Sequence, residues 1–163
     1  MDKLPKIVPP GSEKKVPCGL YRTTQKFEDK VPEGLLVYYH NHGDPGPGVY
    51  AVKSWNNNKA LFQEQGITIT DSAWVKSLKP LKDEGFYRVA KEFYCCEKHC
   101  RKFERDTLVQ LGYNGDGSPI IFIPEWHAEG LLLPQKGNLI EDEKVHHLKP
   151  LKVIFKFSQE HDE

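Results

Sequence analysis

Leu78-Lys79-Pro80-Leu81-Lys82 recurs as Leu148-Lys149-Pro150-Leu151-Lys152. Matches continue outward from this pentapeptide in the same order. Val75 stands opposite Val145, Asp71-Ser72 opposite Glu141-Asp142, Gly66 opposite Gly137 and Leu61 opposite Leu132. Farther back, Trp55 meets Trp126, Val49-Tyr50 meets Ile121-Phe122, Pro47 meets Pro119 and Leu36-Val37 meets Leu108-Val109. At the start, Gly19-Leu20-Tyr21-Arg22 meets Gly85-Phe86-Tyr87-Arg88. The offset runs 66, then 72, 71 and 70, which takes one six-residue insertion and two single-residue gaps. Such gaps belong in surface loops. An ordered set of matches at a fixed period predicts one supersecondary unit used twice.

The repeat divides the chain. Residues 1–18, rich in Pro and Lys, form an N-terminal arm expected to be partly disordered. Residues 19–84 are the first unit. Residues 85–157 are the second, carrying a Cys-rich insertion, and residues 158–163 are a polar tail. The segment from Gly85 to Phe93 closes one unit and opens the next, so a single extended stretch is expected to couple them rigidly.

Each unit reads as a series of short strands. Leu35-Leu36-Val37-Tyr38-Tyr39 and Leu108-Val109-Gln110-Leu111 are apolar or aromatic runs that suit strands. Gly and Pro break the chain after the first, and Asn114-Gly115-Asp116-Gly117 breaks it after the second. These residues supply the positive φ angles of tight hairpins. Gly48-Val49-Tyr50-Ala51-Val52 and Ile120-Ile121-Phe122-Ile123 resume as strands. Asp71 or Ser72 caps one predicted helical turn, and Glu141-Asp142 does the same in the second unit.

Strands, one helical turn and a last strand ending in Leu-Lys-Pro-Leu form an order that resembles the SH3-like and Tudor-like barrels. The resemblance covers each unit from its Leu-Val strand to that motif. It implies a mainly β protein made of two tandem SH3-like barrels, each with a short helical turn before its last strand. One continuous β-sandwich built from both units is the competing architecture.

Charge and cysteine usage narrow the function classes. Lys plus Arg equals 23 and Asp plus Glu equals 23, so no global field draws in nucleic acid or an anionic membrane. No apolar run reaches the length that crosses a bilayer. Residues 1–6 carry charge with no apolar stretch behind them, as expected of a chain without a secretory signal. Three of the four cysteines crowd into residues 95–100, unlike the spread of a secreted disulfide scaffold. A reducing, cytoplasmic setting is expected.

Four constellations are candidates for chemistry. Cys95, Cys96, His99 and Cys100 lie in the insertion, and the three-residue spacing of Cys96 and Cys100 is within the range of zinc-binding pairs. Cys18, at the boundary of the first unit, is the candidate fourth ligand, so zinc is the one cofactor the sequence suggests. Unpaired thiols and a redox role are the alternatives. His40 and His42 flank Asn41 at a spacing that shares one strand face and, with Asp44, form a second weaker metal candidate. Tyr38, Trp55, Tyr113 and Trp126 are aromatic candidates for binding a protein or peptide, because barrel modules use exposed aromatics in that way. Lys91, Lys98, Arg101, Lys102 and Arg105 make the 91–105 segment a basic candidate for nucleic acid, but Glu92, Glu97, Glu104 and Asp106 interleave with them.

Neither a phosphate-cradling Gly-rich loop nor a nucleophile elbow appears in the sequence. The expected function is therefore a non-enzymatic binding module with a protein or peptide partner. Nucleic-acid binding through 91–105 and a zinc- or redox-responsive role for residues 95–100 are the alternatives.

Overall fold

The computed structural model of the chain describes residues 15–43 and 46–154. Most of the expected arm, Asp44, residues 155–157 and the polar tail lie outside the described residues. The protein is mainly β, with several antiparallel sheets. Among the described residues, no helix is long and apolar enough to cross a membrane.

In the first half, β1 (Gly19–Arg22) pairs with β2 (Leu36–His40), and β2 with β3 (Gly48–Asn56). Strand β3 pairs with both β4 (Lys59–Phe62) and β5 (Ile67–Thr68). A short helix, α1 (Ser72–Lys76), follows, and β6 (Lys79–Pro80) returns to β1. Helix α1 starts where the sequence places a cap: the Asp71 carboxylate accepts from the backbone N–H groups of Ala73 and Trp74.

The second half is wired in the same order. Strand β7 (Gly85–Val89) is followed by a hairpin, β8 (Phe93–Tyr94) and β9 (Lys102–Phe103). Strand β10 (Leu108–Tyr113) pairs with β7 and with β11 (Pro119–Phe122). A second hairpin joins β12 (Glu125–His127) to β13 (Gly130–Leu132). Strand β14 (Asn138–Leu139) pairs with β11, and after a 3₁₀ turn (Asp142–His147) β15 (Leu148–Pro150) returns to β7.

The registers coincide as well as the order. Tyr21 faces Val37 as Tyr87 faces Val109, and Tyr38 faces Tyr50 as Gln110 faces Phe122. Val49 faces Ile67 as Ile121 faces Asn138, and Tyr21 faces Pro80 as Tyr87 faces Pro150. These pairs are related by the sequence offsets of 66, 72, 71 and 70. The tyrosines at the start share one further contact: Tyr21 donates to the Pro17 carbonyl and Tyr87 to the Asp83 carbonyl, each at 2.6 Å.

Two hydrophobic clusters fill the interior. One belongs to the first half alone and includes Tyr21, Val37, Tyr39, Val49, Ile69, Trp74 and Leu78. The other is built on Tyr87, Val89, Val109, Leu111, Ile121 and Leu148 of the second half, but also contains Leu20, Leu36 and Ala60 of the first. Alternate residues of a strand face opposite sides. In β1 and β2 both sides are therefore buried, one against the first half's own core and the other against the second half. The sequence expectation of rigid coupling rested on the segment from Gly85 to Phe93. The structure joins the halves more broadly, through this shared core.

Gly66 and Gly137 occupy matched positions before β5 and β14. A Cβ at Gly137 would lie 2.6 Å from the Ile121 carbonyl oxygen, whereas at Gly66 the nearest atoms are in the Tyr50 ring at 2.9 Å. Gly137→Ala is expected to lower stability by about 1–3 kcal/mol, as overpacking against backbone does. Gly66→Ala is expected to cost less, because the half-buried Tyr50 ring can move and the matching backbone oxygen, that of Val49, is farther away at 3.0 Å. Denaturant unfolding of both variants beside the parent measures the difference.

Candidate functional site

The β3–β4 hairpin turns at Asn57 and Asn58, both at positive φ (52° and 66°), the conformation Asn tolerates in tight hairpins. This turn docks on β10. The Asn58 side-chain amide donates to the Gln110 side chain and to the Pro134 carbonyl, each at 2.9 Å. Gln110 returns a hydrogen bond to the Asn57 carbonyl at 2.8 Å, which satisfies a polar side chain buried in the strand. The Trp55 indole N–H donates to the Tyr113 carbonyl at 3.1 Å. Gly112 makes this approach possible, since a Cβ there would lie 2.8 Å from the Asn58 carbonyl oxygen.

The matched hairpin of the second half, β12–β13, has no such seat. Trp126 is 81% exposed against 46% for Trp55, and Leu131 is 48% exposed where its counterpart Ala60 is 3%. Leu132 is also exposed. Leu108 is 37% exposed where its counterpart Leu36 is fully buried.

The predicted aromatic residues are thus only partly brought together. Trp55 and Tyr113 line one cleft with Asn114, Ile120 and Phe122. Tyr113 itself is buried, and its hydroxyl donates to the Lys82 carbonyl at 2.7 Å. Burial is the main reason its pKa is raised. Tyr38 lies in a separate groove against Phe62, with ring centroids 5.8 Å apart. Trp126 stands apart from all three on its own hairpin.

The cysteines divide into two groups. Residues 95–100 lie in the turn between β8 and β9. The sulfurs of Cys95, Cys96 and Cys100 all lie within 4.8 Å of one another. Cys96 has its pKa lowered, chiefly by the backbone N–H of Lys98 and then by the Cys95 thiol; the Cys96 sulfur in turn raises that of Cys100. His99 stacks on Tyr94 at 3.9 Å. Cys18 joins His40 and His42 instead, within the same 4.8 Å limit. There the Asn41 side-chain oxygen accepts from Cys18 at 3.2 Å and lies 2.7 Å from His42 Nδ1, so Asn41 already engages two of the three groups. Asp44, the further ligand expected for the histidines, lies outside the described residues.

Of the basic residues in the 91–105 segment Lys102 is ion-paired, to Glu92 at 3.3 Å, and just outside the segment Arg88 pairs with Asp106 at 2.7 Å.

Sequence reasoning missed an ion cluster between the halves. Arg22 of β1 donates through Nη1 and Nη2 to both carboxylate oxygens of Asp142, at 2.8 and 2.9 Å, and through Nη2 to the Gly117 carbonyl. Lys79 adds a third contact to Asp142 at 2.8 Å. The match of Arg22 with Arg88 was visible, but a partner 120 residues away was not. A second missed group is Glu84, whose carboxylate accepts from the Ala60 backbone N–H and whose pKa is raised by burial.

No protein family, curated protein or solved structure matches the chain.

The Arg22 guanidinium, with Lys79 beside it, holds the Asp142 carboxyl well below the usual range. A carboxyl lowered in the folded state contributes its stability above the unfolded pKa of about 4, and loses it as pH falls through the folded value. Asp142→Asn is expected to cost about 1–2 kcal/mol at pH 7, discounted because the pair is partly exposed. The gap between parent and variant should close as pH drops below about 4. Thermal unfolding of both proteins between pH 7 and pH 2 measures it.

Proposed function

We propose that residues 19–84 and 85–157 are tandem SH3-like barrel modules and that the chain is a non-enzymatic protein-binding module. The β12–β13 hairpin is its docking element. The strand order and the matched registers support the duplication. Each half runs as a meander whose last strand, after a helical turn, comes back to the first.

One comparison carries the binding reading. The first hairpin buries Ala60 in the core shared with the neighbouring half and bonds Trp55 to it, while its counterpart presents Trp126 and Leu131 to solvent at the matching positions. An exposed Trp is the side chain most typical of an interface anchor, and the exposed Leu beside it adds apolar area. A second copy of this chain fits poorly as the partner. In such a copy the β10 seat is already taken by its own first hairpin, and the matched position in β2 carries His40 in place of Gly112. A side chain at that position would meet the incoming turn where Gly112 leaves room. The proposed partner is therefore a different protein or peptide. Acidic side chains interleave with the basic ones over residues 91–105, which gives nucleic acid less support, and the four free thiols suit a reducing, cytoplasmic setting.

Selection from a displayed random-peptide library on the full chain tests the reading. Selected peptides are expected to lose about 30-fold in affinity, or about 2 kcal/mol, for Trp126→Ala, the loss typical of an anchor residue. The thermal midpoint should stay unchanged because Trp126 is so exposed. Peptides that bind the variant as well as the parent would remove the hairpin from the interface.

A further inference from the structure

The three thiols in the β8–β9 turn are already spaced as ligands of one ion. Cys95 Sγ and Cys96 Sγ lie 3.6 Å apart. Metal–thiolate bonds of about 2.3 Å in a tetrahedral arrangement put sulfurs about 3.8 Å apart. Adjacent residues on a regular strand would point to opposite faces. Here β8 ends at Tyr94, and the turn that follows brings both sulfurs to the same side, with Cys100 closing the set from the other arm.

A backbone donor also faces the sulfurs: Arg101 N–H donates to Cys95 Sγ at 3.3 Å. A donor of this kind favours the thiolate, the form that binds metal. The turn is anchored outside itself, because the Cys95 carbonyl accepts from Glu141 N–H at 3.0 Å and Phe93 stacks on His147 at 5.3 Å.

The geometry points to Cys95, Cys96 and Cys100 as a three-thiolate site for one thiophilic metal ion of the zinc and cadmium class, with its fourth position open to solvent beside exposed Cys100. Three sulfurs select soft or borderline-soft ions over calcium or magnesium. Three protein ligands with one open position are the pattern of a site that exchanges a ligand rather than a closed structural one. Each thiol gives its proton to solvent as its sulfur–metal bond forms, so loading releases up to three protons. His99 is held on the Tyr94 ring, and Cys18 belongs to the group with His40 and His42, so neither predicted extra ligand joins these sulfurs.

Titrating Cd(II) into the full, reduced chain without oxygen tests the site. One equivalent is expected to produce a thiolate-to-cadmium charge-transfer absorption together with proton release. Cys96→Ser and Cys100→Ser are each expected to weaken binding at least about 100-fold, the upper end of what loss of a supporting contact costs. Cys18→Ser should leave binding unchanged. Because Cys100 is exposed, Cys100→Ser should keep the parent's metal-free thermal midpoint, so its loss of binding reports the ligand itself. The proposal is overturned if the parent shows no charge-transfer absorption at one equivalent. It is equally overturned if Cys100→Ser binds as tightly as the parent, or if Cys18→Ser alone abolishes binding.

Discussion

The first half of this protein does not close its hydrophobic surface by itself. Leu20, Leu36 and Ala60 leave the first half's own core and complete the cluster around Tyr87, Val89, Val109 and Leu111. Because side chains alternate along a strand, the residues between them, Tyr21 and Val37, fill the first half's core from the same two strands. A β1–β2 pair buried on both faces fixes register strongly, since a one-residue slip would exchange two different apolar sets. The docked turn, the Arg22–Asp142 pair and the Leu36 N–H donating to the Gly115 carbonyl all lie along the junction that this shared burial sets. Burial of apolar side chains is worth about 1.5–3 kcal/mol each. Leu20 and Leu36 each contribute on that order to the junction, and the directional polar contacts fix the relative orientation of the halves.

The two halves solve one packing problem with different side chains, and the differences decide what is left free. Position 112 is glycine where the first half has His40, so only the second half can take a hairpin turn against its second strand. Position 110 is Gln, buried and bonded to the docked turn, where the first half has Tyr38 packed on Phe62. Ala60 is small and fits the shared core, whereas its counterpart Leu131 is large and stays exposed. An array of identical modules would make each hairpin seat on the next. Here the matched surfaces have diverged: β10 takes the first hairpin's turn, while among the described residues nothing covers Trp126 and Leu131 on the second hairpin.

Strand segments and the turns between them were legible in the sequence because matched positions in the two halves could be read against each other, whereas which strands pair, and in what register, was not read there. Residues that keep their place in both halves, such as Gly66 with Gly137 and Val49 with Ile121, hold the same backbone contacts in each. What the repeat could not reveal was anything that joins one half to the other. The seat of the Asn57-Asn58 turn, the partner of Arg22 and the burial of Tyr113 all depend on how the halves lie together, and no local pattern encodes that. The cysteine cluster was legible as composition but not as geometry. The hairpin brings Cys95 in beside the pair, while Cys18 is drawn away because its neighbour Gly19 pairs with Tyr39.

The cysteine turn and the junction between the halves are mechanically close. The Cys95 carbonyl holds Glu141 N–H, and the next residue, Asp142, holds Arg22 and Lys79 from the first half. His147, at the far end of the same 3₁₀ turn, stacks on Phe93 of the hairpin that carries the thiols. Both ends of that short turn are thus tied to the thiol-bearing hairpin, and its first residue is tied to the other half. A short 3₁₀ turn has few internal hydrogen bonds and takes its conformation largely from what it touches.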